Sequence, residues 1–422
     1  MKYLKPSPFI HILSQPLERK KLELEIIYSS GGSWFESPED RGKKHLLEHC
    51  IASRTKNLNF QELKDLEFRE NISLNAYTGP ITMGLTATSH YTDFRKITDL
   101  LIEMALEPTF DQEILDKEKE IVLREISERR GDPNYRLYYD TSKAIFTPDS
   151  YNNHETLGDS EKVALTSLED FRNLQSQNLN KSHLIISLSG GGIELDYLQE
   201  KLQKHLLKNP NWNGVNDKND INYNAPTQFQ DFKFLPVVHE LAHSHAEISV
   251  FLKCPINLEN KAALQVFDSL FLKYGGVLYD RLRDELGLVY GIQSSFDNRT
   301  QTLGIELSCE IQYIQKILDE IKSVFGDFNK NFRPQKFNEF KNLIQKRIDI
   351  AQDTLGASTN FTESMLLKYG VAQTYGEYSQ KLQSTTQEEI ESIYNFIMEN
   401  QTQQRVVVVS KDSAISDLNL SF

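Results

Sequence analysis

Apolar positions along the chain recur every three or four residues from Phe94 to Glu107 (FRKITDLLIEMALE) and from Ile314 to Phe325 (IQKILDEIKSVF), which predicts two amphipathic helices. Each is followed by a longer charged amphipathic stretch, Asp111 to Arg130 and Arg333 to Gln352, with the same helical reading. A β-rich run closes each set: His183-Leu184-Ile185-Ile186-Ser187-Leu188 in one and Arg405-Val406-Val407-Val408-Val409 in the other. Before each run lies a helix-like stretch opened by a capping-box pattern, Thr166-Ser167-Leu168-Glu169 and Thr386-Gln387-Glu388-Glu389. Matching elements at one offset of about 220 residues predict an internal duplication. Residues 209–231 are weakly hydrophobic and rich in Asn-Pro, Asn-Gly and Asn-Asp steps. That composition marks a linker between an N-terminal half, 1–208, and a C-terminal half, 232–422.

The halves differ where chemistry is concentrated. His45-Leu46-Leu47-Glu48-His49 places two imidazoles and a carboxylate at positions i, i+3 and i+4, on one face of a helix. Two neutral imidazoles so placed can hold zinc, and the carboxylate between them can take a proton from water. The order is H-x-x-E-H, the inverse of H-E-x-x-H. The alternative is an ordinary amphipathic helix with solvated polar residues. At the matching offset the second half has Gln265-Val266-Phe267-Asp268-Ser269, an apolar helix without histidine.

A catalytic zinc needs a third protein ligand and one open position. On the helix expected to start near Asp111, Ile114, Glu118, Ile121 and Glu125 recur at spacings of four, three and four, so both glutamates follow the apolar stripe inward. A carboxylate on a buried face is costly unless paired or metal-bound. A solvated helix is the competing reading, with Lys117, Lys119, Glu120, Arg124 and Glu128 as partners.

Composition narrows the partners. The chain has 422 residues, 39% of them hydrophobic and 25% charged, enough for a substantial core and two or more domains. A net charge of -13 argues against nucleic acid, which favours a basic face. No apolar run reaches the length of a membrane span, and the N-terminus lacks an uninterrupted apolar signal core, so a cytoplasmic protein is expected. Cys50, Cys254 and Cys309 are odd in number and far apart, which suits a reducing compartment without disulfides. Cys50 adjoins His49 but points off the histidine face and reads as a packing residue.

These motifs, in this order, resemble the pitrilysin family of inverted-motif zinc peptidases, which includes insulysin and the mitochondrial processing peptidases. The resemblance covers nearly the whole chain: Gly31-Gly32-Ser33 and Gly42, then His45-x-x-Glu48-His49, Asn75-Ala76-Tyr77-Thr78, Glu118 and Glu125, Leu157-Gly158 and the Thr166 helix. In the second half, Gly275-Gly276-x-Leu278-x-x-Arg281-Leu282-Arg283, then Gly287-Leu288-x-Tyr290, is similar to the family's C-terminal signature. It implies an α+β fold of two homologous α/β-sandwich domains, mostly antiparallel sheet packed with helices, in a clam-shell arrangement. It also implies that His45, His49 and Glu125 bind Zn2+, that Glu48 is the general base, and that Glu118 orients a ligand histidine. Asn75 and Ala76 would lie on an edge strand that an extended peptide substrate joins. Arg283 and Tyr290 would come from the second half to hold substrate carbonyls and stabilise the oxyanion. Without the resemblance, Arg283 reads as a surface ion-pair residue beside Asp284 and Glu285.

Two features depart from the family pattern. Lys44 stands where a small residue is expected, and either projects out of the helix or narrows the cleft. The chain is about half the length of the four-domain insulysin type, so the resemblance implies a chamber closed by pairing, as a homodimer or as a heterodimer with a related chain. His239-Glu240-Leu241-Ala242-His243, with His245 beyond, matches H-E-x-x-H. A strand-like run starting at Ala246 leaves no room for a zinc helix there. Three functions stay open: a zinc endopeptidase acting on short or unfolded peptides, a noncatalytic scaffold of the same fold such as respiratory-complex core proteins, and a peptide-binding protein without turnover.

Overall fold

The computed structural model describes residues 1–208, 220–239 and 245–417. Contacts group them into two compact units. Unit 1 comprises Met1–Gly131, His154–Ala225 and Ala351–Tyr375; unit 2 comprises Asp132–Asn153, Pro226–Ile350 and Gly376–Phe422. The linear boundaries expected at 208 and 232 are therefore crossed twice, by the helix Pro133–Ile145 in unit 2 and by the helix Ala357–Tyr369 in unit 1. The first part of the expected linker, 209–219, lies outside the described residues.

Unit 1 is built on strands β1 (Lys2–Ser7), β2 (Ile10–Pro16), β3 (Lys21–Tyr28), β4 (Ser73–Thr78), β5 (Met83–His90) and β6 (Leu184–Gly190), in the order β1-β2-β6-β3-β5-β4. Unit 2 has β7 (Phe234–Val238), β8 (Ala246–Lys253), β9 (Ile292–Asp297), β10 (Thr302–Cys309) and β11 (Arg405–Ser410), in the order β7-β11-β8-β10-β9. Without β1 the two orders are the same. Each sheet is antiparallel except for one pair, β2 with β6 and β7 with β11. The α+β class is as expected, and the duplication appears as matching topology.

Period-two alternation places helices on both faces of the first sheet. Ile12, Ile26 and Ile186 join the main core with Phe94, Ile97 and Leu101, whereas Leu13, Ile27 and Ile185 pack with Leu366 of the Ala357–Tyr369 helix. In unit 2, Val407 and Val409 of β11 pack with Ile145 and Phe146 in the same way. The helices Phe94–Leu106 and Ile314–Gly326 fall where the periodicity places them. The capping box of the second half is at Thr386, with Glu389. That of the first half is one residue later than expected: Ser167 is the N-cap and Asp170 closes the box, while the Thr166 hydroxyl turns back to the Lys162 carbonyl at 3.0 Å.

Candidate metal centre

The helix Lys43–Ala52 carries the two histidines, and it begins in a backbone arrangement that only glycine accommodates. Gly42 has φ +93°, and a Cβ on Gly158 would come within 2.1 Å of its Cα. Left-handed backbone and close approach both exclude a side chain. The unpaired amides of the first turn are met by Glu36, whose carboxylate accepts from the amides of Gly42 at 2.9 Å and Lys44 at 2.6 Å. Leu46, Leu47 and Cys50 anchor the other side in the main core.

Lys44 takes neither of its two expected courses. It is only 2% exposed, its Nζ donates to the Ser30 carbonyl at 3.1 Å, and it lies 5.4 Å from the Phe35 ring centre. Burial brings its pKa down to about 8, with the Glu36 charge opposing the fall.

The helix Gln112–Gly131, with Asp111 accepting from the Ile114 amide as its cap, packs against the histidine helix. Its buried stripe is Leu115, Glu118, Val122 and Ile126 together with Ile114; Ile121, expected inside, is 36% exposed. Glu125 lies at the edge of this stripe. Its Oε2 is 3.6 Å from His45 Nε2 and 3.7 Å from His49 Nε2. One donor atom from each of His45, His49 and Glu125 lies within 4.8 Å of the others. Ligands of a tetrahedral zinc at bonds of ~2.0–2.1 Å are about 3.3 Å apart, so small side-chain shifts suffice. Two imidazoles and a carboxylate are also the donor chemistry of catalytic zinc sites.

Behind His49, Glu118 is 5% exposed and its Oε2 lies 3.3 Å from His49 Nδ1. The carboxylate can only accept, so Nδ1 carries the proton and Nε2 keeps its lone pair on the side of Glu125. Burial works against ionising Glu118, but the hydrogen bonds from His49 and Ser53 outweigh it and hold its pKa down. Burial also opposes charge on His49, yet the Glu118 hydrogen bond and the charges of Glu48, Glu118 and Glu125 leave its pKa raised. For His45, burial and then the His49 charge bring the pKa down to about 4, leaving it neutral at pH 7. Glu48 has its pKa raised, first by burial and further by Glu125 and Glu118, with His49 opposing.

Ser53 was absent from the sequence reading. Its hydroxyl is 3.0 Å from Glu118 Oε1 and 2.7 Å from the His49 carbonyl, and its position four residues after His49 was the available signal. Glu36 was missed as well, since a loop residue six positions before the cap has no helical spacing to reveal it.

Asn75 and Ala76 lie on β4, the edge strand of the first sheet, against which the histidine helix packs. In unit 2, Arg283 lies on the π-helical stretch Asp280–Glu285, donates to the Tyr279 hydroxyl, and sits 5.4 Å from both the Tyr279 and Tyr290 rings. Tyr290 is 90% exposed. The ion pairing that sequence alone suggested for Arg283 falls to Arg281, which holds Glu320 and Glu285, each at 2.8 Å.

His239 follows β7, its amide donating to the Ser410 carbonyl at 2.9 Å, and His245 precedes β8; Glu240 to His243 lie outside the described residues. Cys50, Cys254 and Cys309 are buried thiols. Among the described residues, no helix is long and apolar enough to cross a membrane.

Two family descriptions match the chain: "Insulinase (Peptidase family M16)" over residues 26–154 and "Peptidase M16 inactive domain" over residues 166–344. An "Uncharacterized zinc protease" of Rickettsia bellii is 21% identical over 338 residues, covering 76% of each chain. A "Probable mitochondrial-processing peptidase subunit beta" of Arabidopsis thaliana is 25% identical over 231 residues, 49% of this chain and 43% of the plant protein. The match thus spans less than half of that relative's length. Among solved structures, a protease from Helicobacter pylori superposes with TM-score 0.72 at 16% identity, covering 97% of this chain and 99% of its own, a likeness of fold.

Proposed function

The chain belongs to peptidase family M16, and from that premise we propose that it is an active zinc endopeptidase cutting short or unfolded peptides. The observation that carries this reading is the convergence of His45, His49 and Glu125 within 4.8 Å, with Glu118 fixing the tautomer of His49. His45, His49 and Glu125 would hold the metal. Bound zinc supplies Lewis acidity, polarising the scissile carbonyl and making water easier to deprotonate. Glu48, whose raised proton affinity suits a general base, takes the proton from the attacking water and returns it to the leaving amine. An extended substrate adds to the free edge of β4 at Asn75 and Ala76 by main-chain hydrogen bonds. Arg283 and Tyr290 are assigned to the substrate carbonyl and the oxyanion on the strength of the family resemblance. Pairing with a second copy or a related chain belongs to the same reading.

A scaffold of the same fold is the second reading, and the metal centre speaks against it. Glu118 is buried and its hydrogen bond to His49 Nδ1 directs Nε2 toward His45 and Glu125, an orientation for which a scaffold has no use. The test is zinc content and cleavage of an unstructured peptide library before and after chelation. About one zinc per chain, with activity lost on chelation and restored by zinc, is expected from a three-ligand site. Protein prepared with zinc that neither binds the metal nor cuts is a scaffold.

A further inference from the structure

Glu118 holds the ring of His49 through Nδ1, and His45 needs a hold of the same kind. His45 Nε2 faces Glu125 at 3.6 Å, so it is the nitrogen a metal would share. The proton of the neutral ring then belongs on Nδ1. That atom is enclosed by protein and closes no hydrogen bond. A buried polar atom in this condition needs an acceptor within reach.

A backbone carbonyl stands ready. The Leu157 oxygen lies against the start of the histidine helix, 3.1 Å from where a Cβ on Gly42 would be, and Gly42 is one turn before His45 on the same face. Burial lowers the proton affinity of the His45 ring, and the Leu157 carbonyl is among the groups that oppose the fall. The loop that carries Leu157 is fastened at three points. Gly158, at φ +80°, rests directly on Gly42. The Asp159 amide donates to the Arg41 carbonyl at 3.2 Å. Arg130 Nη2 donates to the Gly158 carbonyl at 2.9 Å and to Glu155 Oε2 at 3.1 Å, while its Nε donates to Glu155 Oε1 at 3.2 Å. Arg130 lies in the last turn of the Gln112–Gly131 helix, which also carries Glu118 and Glu125. Its side chain is 46% exposed, and a pair so exposed adds little to stability. What a forked guanidinium with three such bonds supplies is fixed geometry.

We propose that Arg130 is a positioning residue for His45: by clamping the 155–158 loop it presents the Leu157 carbonyl to Nδ1, which keeps the proton there and leaves the Nε2 lone pair for the metal. One helix then orients both histidines, His49 directly through Glu118 and His45 at one remove through Arg130. The inference rests on the zinc reading of this centre and extends it to a residue that touches neither metal nor substrate.

Two measurements on the full chain test it. Long-range 1H–15N correlation on metal-stripped protein, labelled in its ten histidines, reads the ring tautomer, and competition with a chromogenic chelator reads zinc affinity. Wild-type His45, whose signals are those lost in His45→Gln, should carry its proton on Nδ1. Arg130→Ala should shift the ring toward the Nε2–H form and weaken zinc binding about tenfold. Arg130→Lys retains one donor for the Gly158 carbonyl and should fall between. Arg95→Ala breaks another exposed arginine–glutamate pair of unit 1 and should change neither quantity. The wild-type tautomer and Arg130→Lys keep the test valid if Arg130→Ala does not fold. A wild-type ring protonated on Nε2, or an Arg130→Ala protein with unchanged tautomer and zinc affinity, overturns the proposal. A tautomer that shifts with Arg130→Ala in a chain that takes up no zinc would sink the peptidase reading and leave the hold of Arg130 on His45 standing.

Discussion

His49 shows how much one side chain depends on its neighbours. Its Nε2 is available because Glu118 holds the proton on Nδ1, and Glu118 is ionised because His49 and Ser53 donate to it. Glu118→Gln should therefore weaken zinc binding by roughly 10–100-fold, as for other residues behind a metal ligand, read by competition with a chromogenic chelator. Ser53→Ala should act in the same direction and less strongly. Unchanged affinity in Glu118→Gln would remove the orienting role. Lys44 makes a separate prediction. Lys44→Met leaves the Ser30 carbonyl without its donor and Glu36 without a nearby cation, and should cost about 1–3 kcal/mol in urea unfolding. The two histidines and Glu48 were legible because helical spacing is written into the sequence. The course of Lys44 was not, because it is set by how the loop from Ser30 to Phe35 folds over the helix start.

At the scale of elements, the strongly periodic helices were legible and their boundaries less so. Ser167 takes the cap in place of Thr166 because the Thr166 hydroxyl is engaged by the preceding turn. The stripe on Gln112–Gly131 runs through Leu115 and Val122 because its neighbours set its rotation, which spacing within one helix leaves undetermined. The duplicated elements also show what stands in unit 2 where unit 1 has its histidine helix. Asp268, the counterpart of Glu48, accepts from Ser294 of β9 and pairs with Lys273 at 3.3 Å, a closed network in place of an open ligand set.

The Ala357–Tyr369 helix carries a pH-dependent contribution. Burial, and then the Glu25 charge, push the Glu363 carboxyl up to about 8 from an ordinary 4.5. Between those values the native state holds a proton that the unfolded chain releases, so stability falls as pH rises across that window. Glu363→Gln should flatten this slope. Its urea midpoint should exceed that of wild type at about pH 9 and approach it near pH 4. An unchanged difference between wild type and variant across that range would contradict the assignment.

At the scale of the molecule, each unit contains a helix that the chain order assigns to the other half. Nothing in the local pattern of Ala357–Tyr369 reveals that Leu366 covers Leu13, Ile27 and Ile185, since packing partners so distant in sequence leave no periodic trace. A fragment ending at residue 208 should therefore expose that apolar face and aggregate or remain partly unfolded, seen by size-exclusion chromatography and dye binding. A soluble, cooperatively unfolding fragment would show that the helix is dispensable. The candidate metal centre of His45, His49 and Glu125 belongs wholly to unit 1.

The central claim is that Glu48 acts as the base at a zinc site built from His45, His49 and Glu125. Glu48→Gln tests it most directly, because the change preserves shape and removes the proton acceptor without touching a ligand. The variant should retain about one zinc per chain and lose cleavage of an unstructured peptide by a factor of roughly 100 or more. Full cleavage by zinc-loaded Glu48→Gln protein would contradict the mechanism.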